Sequence, residues 1–207
     1  MSDSFTPHAP LHAAHLSAAH SGTARLGAAL HMLDRPATSA VSLAHKPIGH
    51  TFVVAMIGVG FCILAAGIAD VVSPGSAKAL FGLRCLLEAL AVVIPTTMIF
   101  GTYLRMKLSP RAFLATCALG VLSCGVVGLS LVPIFGFSVL AADGALPSYA
   151  LPSIIVPAAL VLAAVLVSVR VFRTIDDTAA GRFVSASFAV LFIAAFAVRF
   201  QPALDAL

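Results

Sequence analysis

The sequence predicts an all-α fold, a polytopic integral membrane helical bundle with five transmembrane helices. Of its 207 residues, 60% are hydrophobic and only 10% are charged, with a mean hydropathy of +1.08. A soluble domain has roughly 25% charged residues, so this chain lacks the polar side chains to cover itself in water. Lipid, which tolerates an apolar exterior, is the solvent that the composition indicates.

Residues 1–46 form a polar N-terminal tail rich in Ala, His and Ser, and residues 47–207 form the transmembrane domain. The spacing of Leu26, Leu30 and Leu33 predicts a short surface helix that Pro36 ends. The rest of the tail is expected to be disordered. His8, His12 and His15 would share one helix face and could hold a divalent metal. Because no Cys, Asp or Glu joins them, we predict a solvated tail and no metal site.

Five apolar runs follow the tail, and each reaches or approaches the roughly 20 residues that cross a bilayer as a helix. They cover residues 51–69, 79–104, 112–140, 153–171 and 183–198. The third run is long, and Pro133 is expected to bend or end it.

The loops between these runs alternate between rich and poor in Lys and Arg. By the positive-inside rule, the N-terminus lies in the cytoplasm and the C-terminus outside. Arg199 and Asp205, at the outer end, fit this pattern least. Arginine outnumbers lysine and alanine is abundant, which indicates a GC-rich bacterial gene and hence the cytoplasmic (inner) membrane.

Arg84 and Glu88 lie inside the second apolar run, four residues apart. On a helix these positions share a face, so the two side chains can pair and reduce the cost of holding charge near hydrocarbon. The pair could be an ion or proton site, or a contact to a charged partner. Because no other ionisable residue lies at this depth, we favour a structural pair that anchors the second helix against its neighbours. Further along the same helix, Pro95 is predicted to introduce a kink.

The third run contains small or slender side chains every four residues. We name this the small-residue ridge: Thr116, Gly120, Cys124 and Gly128. Such a ridge lets another helix approach closely. The second helix could belong to the same bundle or to a second copy of the chain, and the spacing does not distinguish them.

Basic side chains in the cytoplasmic loops are expected to attract anionic lipid headgroups, unless they act only as topology signals. They are Arg105, Lys107, Arg111, Arg170, Arg173 and Arg182. The expected partners are therefore the lipid bilayer and other membrane subunits or a second copy of the chain, with no nucleic acid. We find no catalytic pattern such as G-x-S-x-G, H-E-x-x-H or a Walker loop, and we predict no enzyme, no cofactor and no metal.

Two stretches resemble the Yip1-domain family of five-span membrane proteins. The stretch LSPRAFLATCALGVL (108–122) is similar to that family's basic loop and third span, and RVFRTIDDTAAGRFVSASFAVL (170–191) to its polar loop before the last span. The resemblance covers residues 51–198 and implies a cytosolic N-terminal tail, five packed spans and membrane organisation through partner contacts, without enzymatic activity. The family provides no match for the pair of Arg84 and Glu88.

Two functions are consistent with these observations. The first is a non-enzymatic membrane scaffold, or a subunit of a membrane complex, that acts through helix–helix contacts. The alternative is a small permease or channel subunit that uses Arg84 and Glu88 within the membrane.

Overall fold

A computed structural model describes residues 27–28, 30–72, 78–105, 109–141 and 150–205. Within these residues, six helices lie between Pro36 and Asp205, and there is no strand. The helices are α1 (Pro36–His45), α2 (Ile48–Val72), α3 (Lys78–Tyr103), α4 (Pro110–Ala141), α5 (Ala150–Ile175) and α6 (Ala179–Asp205).

The last five helices each contain a segment long and apolar enough to cross a membrane. These segments are Ile48–Val71, Leu80–Tyr103, Pro110–Ile134, Pro157–Ile175 and Ala179–Gln201. The predicted number of five is confirmed, as is the all-helical class for the part of the chain that the structure describes. Helix α4 continues through Pro133 as far as Ala141, although its candidate membrane segment ends one residue after the proline.

The chain divides into two compact units, Met1–Arg35 and Pro36–Leu207. In the first unit, the described residues end in a turn in which Leu33 N donates to Leu30 O at 3.0 Å. Leu26, part of the predicted surface helix, lies outside the described residues.

In the second unit, Pro36 begins helix α1 rather than only ending a helix before it. Proline suits the first helical position because its missing N–H has no partner there in any case. Helix α1 buries Ala40 and Leu43 and packs against α4 and α5. These last residues of the polar N-terminal region are therefore part of the same compact unit as the five long helices.

Helix α4 is the centre of the bundle. Its membrane segment is 56% buried, against 28% for that of α2. Helices α2 and α4 cross at Gly58 and Gly125: a Cβ on Gly58 would lie 2.6 Å from Leu122 N, and one on Gly125 would lie 2.6 Å from Gly58 O. Only glycine allows the two backbones to approach this closely.

A row of phenylalanines lines the inner face of α6. Its members recur every four residues, which places them on one side of the helix: Phe188, Phe192, Phe196 and Phe200. The ring centroids of Phe188 and Phe192 lie 5.9 Å apart, and those of Phe196 and Phe200 lie 5.3 Å apart. The FxxxF repeat was visible in the sequence but was not identified there, because each phenylalanine also fits a generic apolar span.

Aromatic contacts at the two ends of this row define the helix directions. Near the start of α4 and the end of α5, Phe113 and Phe172 stack at 5.2 Å, and both pack edge-on against Phe188. Near the start of α3 and the end of α6, the rings of Phe81 and Phe200 lie 6.4 Å apart. We call the end at which α4 and α6 begin the basic end, and the other the distal end.

Candidate intramembrane charge site and groove

A three-residue charge cluster lies near the distal end, on the surface of α3 and α6. Arg84 Nε donates to Glu88 Oε1 at 2.8 Å, one turn along α3. Arg199 Nη1, from α6, lies 3.5 Å from Glu88 Oε2. Each oxygen of the glutamate therefore faces one guanidinium, and the cluster carries a net charge of +1.

The contact of Arg199 with Glu88 is not predicted by the sequence. It lies 111 residues after Glu88 in the sequence and becomes its neighbour because α3 and α6 run antiparallel and pack together. The thiol of Cys85 donates to the Arg199 carbonyl at 3.4 Å and so keeps the two helix backbones close at this level.

The cluster is exposed to the surroundings of the bundle rather than enclosed within it. The side chain of Arg84 is 75% exposed, that of Arg199 58% and that of Glu88 36%. Beneath it, the bundle interior is filled by the phenylalanines of α6. The cluster can therefore bind a ligand or partner that arrives from the membrane or its surface.

A groove between α3 and α6 runs along the two helices from the cluster toward their midpoints. Its volume is about 320 Å³, and the charged residues Glu88 and Arg199 lie at one end. The remaining lining is almost entirely apolar: Ala89, Val92, Val93, Thr96, Leu191, Ala194, Ala195 and Val198. Thr96 donates its hydroxyl to Val92 O at 2.8 Å, so even this polar side chain has an intrahelical partner.

Pro95 lies within α3, and the helix continues beyond it to Tyr103. The missing N–H of Pro95 releases the carbonyl one turn before it. The neighbouring threonine hydroxyls bond to the next two carbonyls: Thr96 to Val92 O and Thr97 to Val93 O, at 2.8 and 2.7 Å. Threonine bonds of this kind satisfy the hydroxyls within the helix and often accompany a bend.

The small-residue ridge of α4 faces α5 of the same chain. The thiol of Cys124 donates to Leu160 O at 3.0 Å, and a Cβ on Gly120 would lie 3.0 Å from Ser168 Oγ. Thr116 is fully buried, and a Cβ on Gly128 would lie 3.1 Å from Leu160 Cδ2. The ridge is therefore covered within the monomer, and the surface of a second copy would have to lie elsewhere.

Five of the six predicted headgroup-binding residues are exposed near the basic end. They are Arg105, Arg111, Arg170, Arg173 and Arg182, whereas Lys107 lies outside the described residues. Arg105 follows the last turn of α3 with a φ of 53°, a left-handed conformation common directly after a helix.

At the same end, Asp176 organises the start of α6. Its Oδ1 accepts from Thr178 N at 3.1 Å and from Thr178 Oγ1 at 2.6 Å, and Thr178 Oγ1 accepts from Gly181 N at 3.2 Å. Thr178 is thus the N-cap of α6. Asp176 is almost fully buried and is a structural residue of this loop.

Asp70, near the distal end of α2, has a different environment. Both of its carboxylate oxygens are buried, and neither has a hydrogen-bond partner within the part of the chain that the structure describes. A buried carboxylate without a donor is costly unless a proton or a cation satisfies it. In the sequence, this residue directly follows the first apolar run, residues 51–69.

Within the described ranges, no three His, Cys, Asp or Glu side chains are grouped as metal ligands would be. His8, His12 and His15 lie outside those ranges. The four cysteines are buried free thiols. A scan against protein-family models and searches of curated proteins and of solved structures found no match to this chain.

Proposed function

We propose that this integral membrane protein is a non-enzymatic scaffold or a subunit of a membrane complex, and that it acts through helix–helix contacts. The basic end would face the cytoplasm, since its five described arginines are exposed there and the positive-inside rule favours that orientation. The N-terminus would then be cytoplasmic and the C-terminus outside, in a bacterial cytoplasmic membrane. The resemblance to Yip1-domain proteins stays a prediction and points in the same direction.

The observation that supports this proposal is the outer face of α2. Gly60 and Gly67 lie seven residues apart on this face, and a Cβ added to either would meet nothing within 4 Å. Exposed Met56, Leu64 and Val71 continue the same face. Residues seven positions apart lie on the same side of a helix and can face one neighbouring helix. Small residues at these positions let that helix approach closely. Because the ridge of α4 is covered by α5, α2 provides the open small-residue surface.

The test is co-purification from the native membrane in a gentle detergent. Gly60→Leu and Gly67→Leu add bulk to open positions, so we expect them to release the partner while the monomer stays folded. Ala186→Leu, at an exposed position of α6, is the matched control and should retain it. Retention of every associated protein by both glycine variants would contradict the proposal.

A permease or channel subunit is the second candidate, and Asp70 is the observation that favours it. Both carboxylate oxygens of Asp70 are buried without a hydrogen-bond partner among the described residues, so a proton or a cation could satisfy them. Reconstituted vesicles should then show an ion flux that Asp70→Asn or Glu88→Gln alters. Asp177→Asn, at an exposed position of the basic end, should leave the flux unchanged. Absence of flux under proton, sodium and potassium gradients would exclude this candidate.

A further inference from the structure

The charge cluster has more hydrogen-bond donors than its glutamate can accept. Each guanidinium has five N–H donors, more than the two oxygens of Glu88, which face Arg84 Nε and Arg199 Nη1, can accept. Both arginine side chains are more than half exposed, at 75% and 58%. With a net charge of +1, the cluster is complementary to an anion that approaches from the membrane side.

Arg84 and Arg199 lie just inside the ends of their candidate membrane segments, Leu80–Tyr103 and Ala179–Gln201, so we expect the cluster close to the lipid headgroups. Arg84 lies six residues after the start of α3, and Arg199 six residues before the end of α6. At 1.5 Å per residue, both are about 9 Å from their helix ends. Arginine side chains at this depth extend toward the headgroup region. A phosphate there would meet guanidinium groups from two helices, which is the geometry that favours arginine as a phosphate ligand.

The shape of the groove decides between a lipid chain and a protein helix. From Glu88 to Thr96 the groove follows about 12 Å of α3. Its volume of about 320 Å³, divided by this length, leaves a cross-section of roughly 27 Å² for the centres of water-sized atoms, which is narrow for a helix roughly 10 Å across. A single hydrocarbon chain fits this space, whereas a helix could only lie over it.

We propose that this groove binds one anionic phospholipid of the leaflet at the distal end. One acyl chain would lie between α3 and α6, and the phosphate would contact Arg84 and Arg199. Both oxygens of Glu88 already face a guanidinium, so the carboxylate is not left to bind the ammonium of a zwitterionic headgroup. The proposal is independent of the scaffold function, which is tested on α2.

Tryptophan quenching by brominated lipids can test this, because the chain contains no tryptophan of its own. Leu191→Trp places the reporter at the end of the groove away from the charges, where it replaces a side chain that is already large, and Leu162→Trp is a control on an exposed side of α5. The native side chains are 38% and 57% exposed. Brominated phosphatidylglycerol should quench the groove reporter at a lower mole fraction than brominated phosphatidylcholine. The two lipids should quench the control equally.

Variants then separate the headgroup contact from the chain contact. Arg84→Gln and Arg199→Gln should each weaken phosphatidylglycerol binding about fivefold, and Lys46→Gln, at an exposed position just before α2, should leave the groove reporter unchanged. Ala194→Leu should fill the groove and remove the lipid. Native mass spectrometry of the unlabelled chain, with phosphatidylglycerol added in detergent, gives the same comparison without a tryptophan in the groove.

Three outcomes would overturn the proposal. Equal quenching of the groove reporter by the two lipids would remove the selectivity for an anion. Inorganic phosphate that displaces the phospholipid at equal concentration would show that the acyl chain contributes nothing. A groove reporter that no lipid quenches, in a preparation with a co-purifying protein, would show that a partner helix covers the groove.

Discussion

Helix α4 packs closely against its neighbours, whereas α3 and α6 leave a groove between them. Around α4, the helices meet through glycines and a thiol, with Gly125 against α2 and Cys124 against α5. Between α3 and α6, large rings hold the helices together from inside, and a groove stays open on the outer side. One region has no space for an added methyl group, and the other has about 320 Å³ of space.

This difference has a physical cause. In lipid, apolar side chains gain little by meeting one another, so helices associate through close backbone approach and interhelical hydrogen bonds. The contacts of α4 provide both and define the fold. The contact of α3 with α6 has a thiol–carbonyl bond and a charge cluster at its distal end only. Between the charge cluster and the basic end, a ligand can therefore replace bulk lipid along this contact without disturbing the bundle.

The largest expected effect is at the crossing of α2 and α4. In Gly125→Leu, the new Cβ would meet Gly58 O and Phe61 Cβ, each at 2.6 Å, so the two helices must separate. Forced overpacking of this kind should lower the free energy of unfolding by about 3 kcal/mol or more. Denaturation in detergent mixtures, followed by circular dichroism, measures it.

The matched control is Gly60→Leu, on the same helix pair but with open space around it. Its unfolding midpoint should equal that of the native chain. Equal destabilisation by both variants would show that the crossing is no tighter than the exposed face of α2, and the contrast between the two regions would fail.

The second effect concerns the rings between α3 and α6. Phe200 is buried and contacts Phe196 and Phe81. Phe200→Ala should cost about 3 kcal/mol through the cavity it leaves and should also displace neighbouring Arg199 from Glu88. Phe183→Ala, at a ring that is 57% exposed, should change neither stability nor lipid selectivity. Loss of stability without loss of lipid binding would show that Arg199 is positioned by other contacts.

The sequence predicted the helices of this fold much better than it predicted which helices contact one another. Hydropathy and length identify five spans, and the spacing of Arg84 and Glu88 predicts their pairing, because both depend on local geometry. The ridge of α4 was visible, but its partner was not, since spacing does not encode which helix covers it. Arg199 joins Glu88 only through antiparallel packing of distant helices. The glycine crossing of α2 and α4 likewise depends on a helix rotation that hydropathy does not specify.

A smaller effect tests whether hydrogen bonding contributes to the closed contact of α4. In Cys124→Ala the thiol donor to Leu160 O is lost, and interhelical hydrogen bonds in membranes are worth about 0.6 kcal/mol on average. Cys124→Ser keeps a donor of similar size and should recover most of the loss. If alanine and serine behave alike in the same denaturation assay, close packing alone holds α5 to α4.

The smallest effect on stability, and the sharpest on binding, is expected for Glu88→Gln. The side chain lies at the surface of the bundle, so the unfolding midpoint should stay near that of the native chain. The cluster charge would rise from +1 to +2, and phosphatidylglycerol should bind about fivefold more tightly. Asp177→Asn, at the basic end, is the charge-matched control and should leave binding at the groove unchanged.

The opposite result is equally informative. Glu88 contacts both arginines, so it could position the guanidinium groups as well as offset their charge. If Glu88→Gln weakens phosphatidylglycerol binding, geometry outweighs net charge at this site, and the prediction from charge alone is wrong. Comparison with Arg84→Gln then separates the two contributions, because that variant removes a donor while Glu88 and Arg199 keep their contact.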